Sequence, residues 1–116
     1  MCHYENEKGE HCLILCDVKN HLIREANLNT KKVRHISGVQ GERGHDLRGG
    51  ASNPTKQGLA SPWDLVYNPV NGEYIVCMAG THQIWTLNIK TGVCTRYSGS
   101  GGEGNNNTNP QNSTWA

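Results

Sequence analysis

From Asn20 to Gly38 the chain reads NHLIREANLNTKKVRHISG, and from Thr81 to Gly99 it reads THQIWTLNIKTGVCTRYSG. Aligned without a gap, Ile14–Glu42 and Ile75–Glu103 share ten identical pairs in 29. The pairs include Ile14/Ile75, Cys16/Cys77, His21/His82, Ile23/Ile84, Asn27/Asn88, Thr30/Thr91, Ser37/Ser98 and Gly38/Gly99. They fall on apolar positions and on turn residues, the two classes that fix a fold. A repeat of this length limits the architecture more than any other feature, because each copy must fold alike and bury its faces against a neighbour.

One copy reads as strands. Glu73–Met78 is a short apolar run closed by glycine, His82–Lys90 is rich in β-branched and aromatic residues, and Val93–Ser98 follows a Lys90-Thr91-Gly92 turn signal. Upstream, Trp63–Tyr67 is a strand bounded by Pro62 and Pro69. The earlier copy shows His11–Cys16, His21–Leu28 and Lys32–Ser37; its first strand would lie near Cys2–Glu5, where the signal is poor. No segment holds a 3.6-residue apolar period, so no long helix is expected.

The expected fold class is therefore all-β: about two four-stranded antiparallel blades of a β-propeller, the first incomplete. A lone twisted sheet has two faces and no core, and stacking blades covers both. That explains a nearly continuous apolar strand such as YIVCM. A β-sandwich or small barrel with an internal duplication is the competing architecture. The expected organisation is a first repeat at 1–40, a Gly-rich polar interblade loop at 41–60, a second repeat at 61–101, and a polar loop at 102–116 leading to a truncated next blade. Two blades cannot close a ring, so a chain of this length is expected to self-associate or to stay loosely folded.

Composition removes several classes. Net charge is +1, mean hydropathy is −0.67, and no apolar run approaches a membrane span, so nucleic acid is an unlikely partner and no membrane is expected. The first residues, MCHYENEKGEH, lack the apolar core of a signal peptide. The cysteines are five and mostly sit in apolar runs, which reads as buried thiols in a reducing compartment. No catalytic motif is present, and no cofactor or metal is expected.

The stretch Asp17-Val18-Lys19-Asn20-His21-Leu22-Ile23-Arg24, following Leu13–Cys16, resembles the NHL repeat family: a strand, Asp, two turn residues, Asn, His or Arg, one residue, then Ile. Asp and Asn side chains can bond nearby backbone N–H groups and hold such a turn. The second copy departs from the pattern, with Met78 and Thr81 in place of Asp17 and Asn20. Ser61–Val66, Met78–Trp85 and Ser37–Gly41 resemble the same family, so the likeness covers almost the whole chain. The resemblance implies a six-bladed propeller in a longer cytosolic protein that carries a thioredoxin-like domain, with the remaining blades as this segment's neighbours. No Cys-x-x-Cys occurs here.

Each candidate site has a bland alternative. Cys2, His3, His11 and Cys12 could be a zinc set, but adjacent strand residues face opposite ways. His21 and His82 recur, which favours a locally bonded turn-to-strand residue over a site used once. Asp17, Asn20, His21, Ile23, Gly38, Thr81, His82, Ile84 and Gly99 are read as structural repeat and turn positions. Trp63, Trp85, Arg24, Arg43 and Arg48 are the candidate interaction surface; the bland reading of Trp63, Trp85 and Tyr67 is blade-to-blade packing, and Trp85 is set outward because it aligns with Arg24. The run GERGHDLRGG at 41–50 invites an RNA reading, which Glu42 and Asp46 dilute. The expected function is a non-catalytic scaffold that presents the loops at 38–58 and 99–112 to protein partners. The alternatives are a substrate-selecting module for a thiol-disulfide protein, and an RNA-binding propeller.

Overall fold

A computed structural model describes residues 1–99. Eight strands build two four-stranded antiparallel sheets. The first holds β1 (Cys2–Glu5), β2 (His11–Asp17), β3 (Leu22–Asn27) and β4 (Lys32–Ser37); the second holds β5 (Pro62–Asn68), β6 (Glu73–Met78), β7 (Gln83–Leu87) and β8 (Cys94–Ser98). In both, spatial order follows chain order, the up-and-down arrangement of a propeller blade. The expected loop-to-blade region at 102–116 lies outside the described residues.

The first blade is complete, a correction to the incomplete blade expected, and its first strand lies at Cys2–Glu5, where the sequence placed it on a poor signal. Cys2–Glu5 looks weak as sequence because three of its four residues are polar or small. It forms because its fixed register on β2 turns Cys2 and Tyr4 towards the second sheet. The Cys2 thiol donates to the Leu65 carbonyl of the second sheet at 3.2 Å, and the Tyr4 hydroxyl to Glu25 of the first sheet at 2.6 Å.

The duplication holds at the level of backbone angles. Short 3₁₀ turns at Val18–Asn20 and Ala79–Thr81 each end on a left-handed histidine, His21 (φ 57°) and His82 (φ 53°). These histidines therefore stand before the third strands rather than in them. The carboxamide oxygens of Asn27 and Asn88 each accept two backbone N–H groups in the next turn, which explains why that Asn recurs. A bulge falls between Ile23 and Arg24 and again between Ile84 and Trp85. Gly38 and Gly99 leave the fourth strands at φ 103° and 102°. At Gly38 a Cβ would lie 2.4 Å from the His21 carbonyl oxygen, so the glycine is obligatory.

The core lies between the sheets. The first contributes Ile14, Ile23 and Ile36; the second contributes Leu65, Val76, Met78, Trp85, Leu87 and Cys94, and the connecting segment adds Leu59. These two faces are not repeat equivalents. Ile14 and Ile23 correspond to Ile75 and Ile84, which point away from the core, whereas Val76 and Trp85 correspond to Leu15 and Arg24 on the outer face of the first sheet. The sheets thus stack head to tail, one face of each unit against the opposite face of the next, the only arrangement that can be repeated along a ring. It leaves two faces uncovered among the described residues: Leu13, Leu15 and Ala26 on the first sheet, and Val66, Ile75, Cys77 and Ile84 on the second.

Candidate interaction surface

One end of the two sheets carries the β2–β3 turn, the β6–β7 turn and the long segment 38–61 that joins the blades. That segment is built, residue by residue, onto the second sheet. It leaves β4 and passes the outer edge of β8, where Arg96 N–H donates to the Arg48 carbonyl and Gly50 N–H to the Cys94 carbonyl, with a bridge between Gly49 and Thr95. It then doubles back, Gly44 N–H donating to Leu59, and enters β5 after Ser61. Gly49 lies flat on Trp85: a Cβ there would sit 2.7 Å from the indole and 2.4 Å from the Cys94 carbonyl oxygen.

Two buried glutamines organise the segment, and sequence reasoning passed over both. Gln83 donates to the Leu47 and Gly99 carbonyls and accepts from the Trp85 indole N–H at 2.8 Å. Gln57 donates to Asp46 and to the Gly58 carbonyl and accepts from Ala51 N–H. The Gln57 amide, helped by the Arg48 and Gly49 N–H groups, holds the Asp46 carboxyl below its ordinary range. A signal existed for one of them: Gln83 stands where the first repeat has Leu22, a polar residue in an apolar slot.

The candidate residues separate. Trp85 is fully buried, a correction to its place on the interaction surface; the alignment with Arg24 failed because the equivalent positions face a neighbouring blade in one sheet and lie on an uncovered face in the other. Trp63 is 66% exposed at the bulge of β5, just past the connecting segment. Arg43 is committed, its guanidinium donating to the Gly80 carbonyl at 2.6 Å and tying the segment to the β6–β7 turn. Arg48 is exposed on the segment. Arg24 lies on the outer face of the first sheet, its Nε 3.4 Å from Asp17 without a hydrogen bond. Trp63, Arg43 and Arg48 therefore belong to the loop-bearing end of the second blade, and Arg24 and Trp85 do not join them.

His21 also differs from expectation. Its Nδ1 accepts from Ser61 N–H at 2.9 Å, 40 residues away, so it is a clasp between the blades rather than a local contact. Asn20 donates to Asp17 side chain to side chain, and neither reaches the backbone of the turn. The Cys2/His3/His11/Cys12 set divides by strand alternation: the cysteines face the second sheet and the histidines face outward.

At the opposite end, an open groove of about 410 Å³ runs between the β1–β2 turn and Lys90, with Tyr4, Lys8, Glu10 and Arg34 in its wall. Behind it Glu25 accepts from Tyr4 and from Arg34, both at 2.6 Å. Burial pushes the Glu25 carboxyl up, but these two donors outweigh it and the net shift is downward. Among the described residues no group of three His, Cys, Asp or Glu side chains could hold a metal ion.

Comparison with known proteins follows this geometry. The NHL repeat family profile matches residues 59–87, in the second blade rather than at Asp17–Arg24. The chain is similar to the protein SUPPRESSOR OF QUENCHING 1, chloroplastic, of Arabidopsis thaliana (39% identity over 90% of this chain and 10% of that protein). It is also similar to NHL repeat-containing protein 2 of Homo sapiens (37%) and of Gallus gallus (38%), each over 82% of this chain and 15% of the relative. The chain thus spans about a tenth to a seventh of the length of these relatives. An auxiliary nutrient binding protein from Bacteroides ovatus shares the fold, with a TM-score of 0.58 at 19% identity over 84% of this chain and 25% of that one.

Proposed function

The chain belongs to the NHL repeat family, and we propose that it is a non-catalytic pair of propeller blades, repeats 1–40 and 61–101, whose connecting segment presents a protein-binding surface. The observation that carries this reading is the contrast within that segment. Its backbone is fixed by Gln57, Gln83 and the β8 edge, while Trp63, Arg48, Lys56 and His45 stay exposed around it. A loop already ordered before binding loses little further entropy on docking, and exposed Trp and Arg are among the residue types that most often dominate interface energetics.

An RNA reading fares worse. Arg43 is committed to Gly80, and Asp46 and Glu42 offset the remaining cations. The finer reading, a substrate-selecting module beside a thioredoxin-like domain in a longer chain, rests on the family resemblance alone, as does a cytosolic location; one relative is named chloroplastic. The free thiols fit any reducing compartment.

A photo-crosslinking amino acid placed at Trp63 or Arg48, with Val70 as the control at the other end of β5, tests the surface in cells. The expected result is a discrete protein adduct at 63 and 48 and none at 70. Equal or absent crosslinking at all three sites contradicts the proposal, and an adduct that RNase removes supports the RNA alternative.

A further inference from the structure

We propose that Asn71 is a site of spontaneous covalent modification, at which the Gly72 amide nitrogen closes on the Asn71 side chain and converts it, through a succinimide, to isoaspartate or aspartate. Asn71-Gly72 is the only Asn-Gly pair in the sequence, and it lies in the turn between β5 and β6. The chemistry needs an uncovered backbone nitrogen and an electrophilic carboxamide held beside it. Glycine supplies the first, because no side chain shields its nitrogen. Gly72 is exposed at φ 74°, and a Cβ built on it would meet nothing within 4 Å. The turn supplies the second. Asn71 Oδ1 accepts from the Glu73 N–H at 3.0 Å, an Asx turn that folds the carboxamide back along the Gly72 peptide. The same N–H polarises the carboxamide carbonyl and stabilises the oxyanion formed on attack. Asn6, Asn27 and Asn88 also accept from turn N–H groups, but they precede Glu7, Leu28 and Ile89, whose side chains cover the next nitrogen.

The atoms balance with water as the only co-reactant. The Gly72 nitrogen loses its proton to water and bonds to Asn71 Cγ; the Cγ–Nδ2 bond breaks and ammonia leaves. Water then opens the ring at either carbonyl. Opening at the backbone carbonyl leaves the main chain running through Cγ, which is isoaspartate; opening at Cγ gives aspartate. One contact opposes the first step, since the Gly72 N–H donates to the Asn68 carbonyl at 3.0 Å and must be released. Its position favours release: Val70, at the tip of the turn, is 92% exposed, and exposed loop tips open at low free-energy cost. Isoaspartate adds a methylene to the main chain in the turn that sets Asn68 opposite Glu73, and either product places a new carboxylate two residues from that of Glu73.

Prolonged incubation of the whole chain in mildly alkaline buffer, followed by peptide mapping and labelling with an isoaspartyl methyltransferase, tests the proposal. The expected result is conversion at Asn71 ahead of every other described asparagine, with isoaspartate as the main product. Asn71→Gln should abolish it. Gly72→Asp, a residue type that tolerates a positive φ, should slow it several-fold. Asn68→Ala removes the side-chain oxygen that accepts from the Val70 N–H at 3.0 Å, loosens the turn, and should speed it. The turn is exposed, so circular dichroism should be unaltered in all three variants. An Asn71 that stays intact in the native protein while it converts in the urea-unfolded chain overturns the proposal. So does a Gly72→Asp protein that converts as fast as the wild type, because the reaction would then not pass through the Gly72 nitrogen.

Discussion

Trp85→Ala is expected to lower the stability of the two-blade unit by about 3–5 kcal/mol, the largest effect of any single core truncation here. Trp85 is the bulkiest fully buried side chain. Its indole forms the floor beneath Gly49, and its N–H fixes Gln83, which in turn holds Leu47 and Gly99. Truncation leaves a cavity between the sheets and strips a buried amide oxygen of its donor. The order of the connecting segment should fail with it. Hydrogen exchange should therefore show lost protection at Gly50 and Arg96, whose N–H groups close the segment onto β8. Trp85→Phe should keep most of the packing but release Gln83. A Trp85→Ala protein with wild-type denaturant midpoint and unchanged protection at those amides would contradict the assignment of Trp85 to the inter-sheet core.

The second large effect concerns the uncovered faces. The stacking inside the chain is a template for stacking between chains, since the face carrying Ile75 and Ile84 repeats the covered face carrying Ile14 and Ile23. The face with Leu13, Leu15 and Ala26 repeats the covered positions Tyr74, Val76 and Leu87. The 116-residue chain at micromolar concentration is therefore expected to associate head to tail in solution, because such faces can always accept another unit. Ile84→Lys sets a charge in the middle of the second sheet's uncovered face and should shift sedimentation towards the monomer, while leaving the thermal transition of that monomer in place. A wild-type chain that sediments as a single cooperative monomer at all concentrations would contradict this.

Much of this fold is legible in the sequence, because the residues that set it are local. Asn27 and Asn88 write the β3–β4 and β7–β8 turns, and Gly38 and Gly99 write the exits from the fourth strands. What the sequence hides is which side of a strand meets a neighbour. Period-2 alternation gives two faces, but in a repeat both faces are apolar, so Trp85 cannot be placed by its own pattern. His21 and Gln83 are hidden for another reason: their partners, Ser61 and Leu47, lie 40 and 36 residues away and carry no motif of their own. The exposure of the candidate surface residues is half readable. Trp63 and Arg48 are exposed, whereas Arg43 is claimed by a carbonyl that no linear pattern names.

Head-to-tail stacking is tested most directly by a pair of thiols that the duplication makes equivalent. Cys16 and Cys77 occupy the same position in the two repeats. Cys16 packs against the core, and burial pushes its thiol up to about 12, whereas Cys77 is exposed. In dilute native protein at neutral pH, a thiol reagent followed by mass spectrometry should modify Cys77 rapidly and leave Cys16 unmodified until the chain unfolds, when the two rates converge. Equal native rates, or faster modification of Cys16, would show that the first sheet does not lay this face on the second.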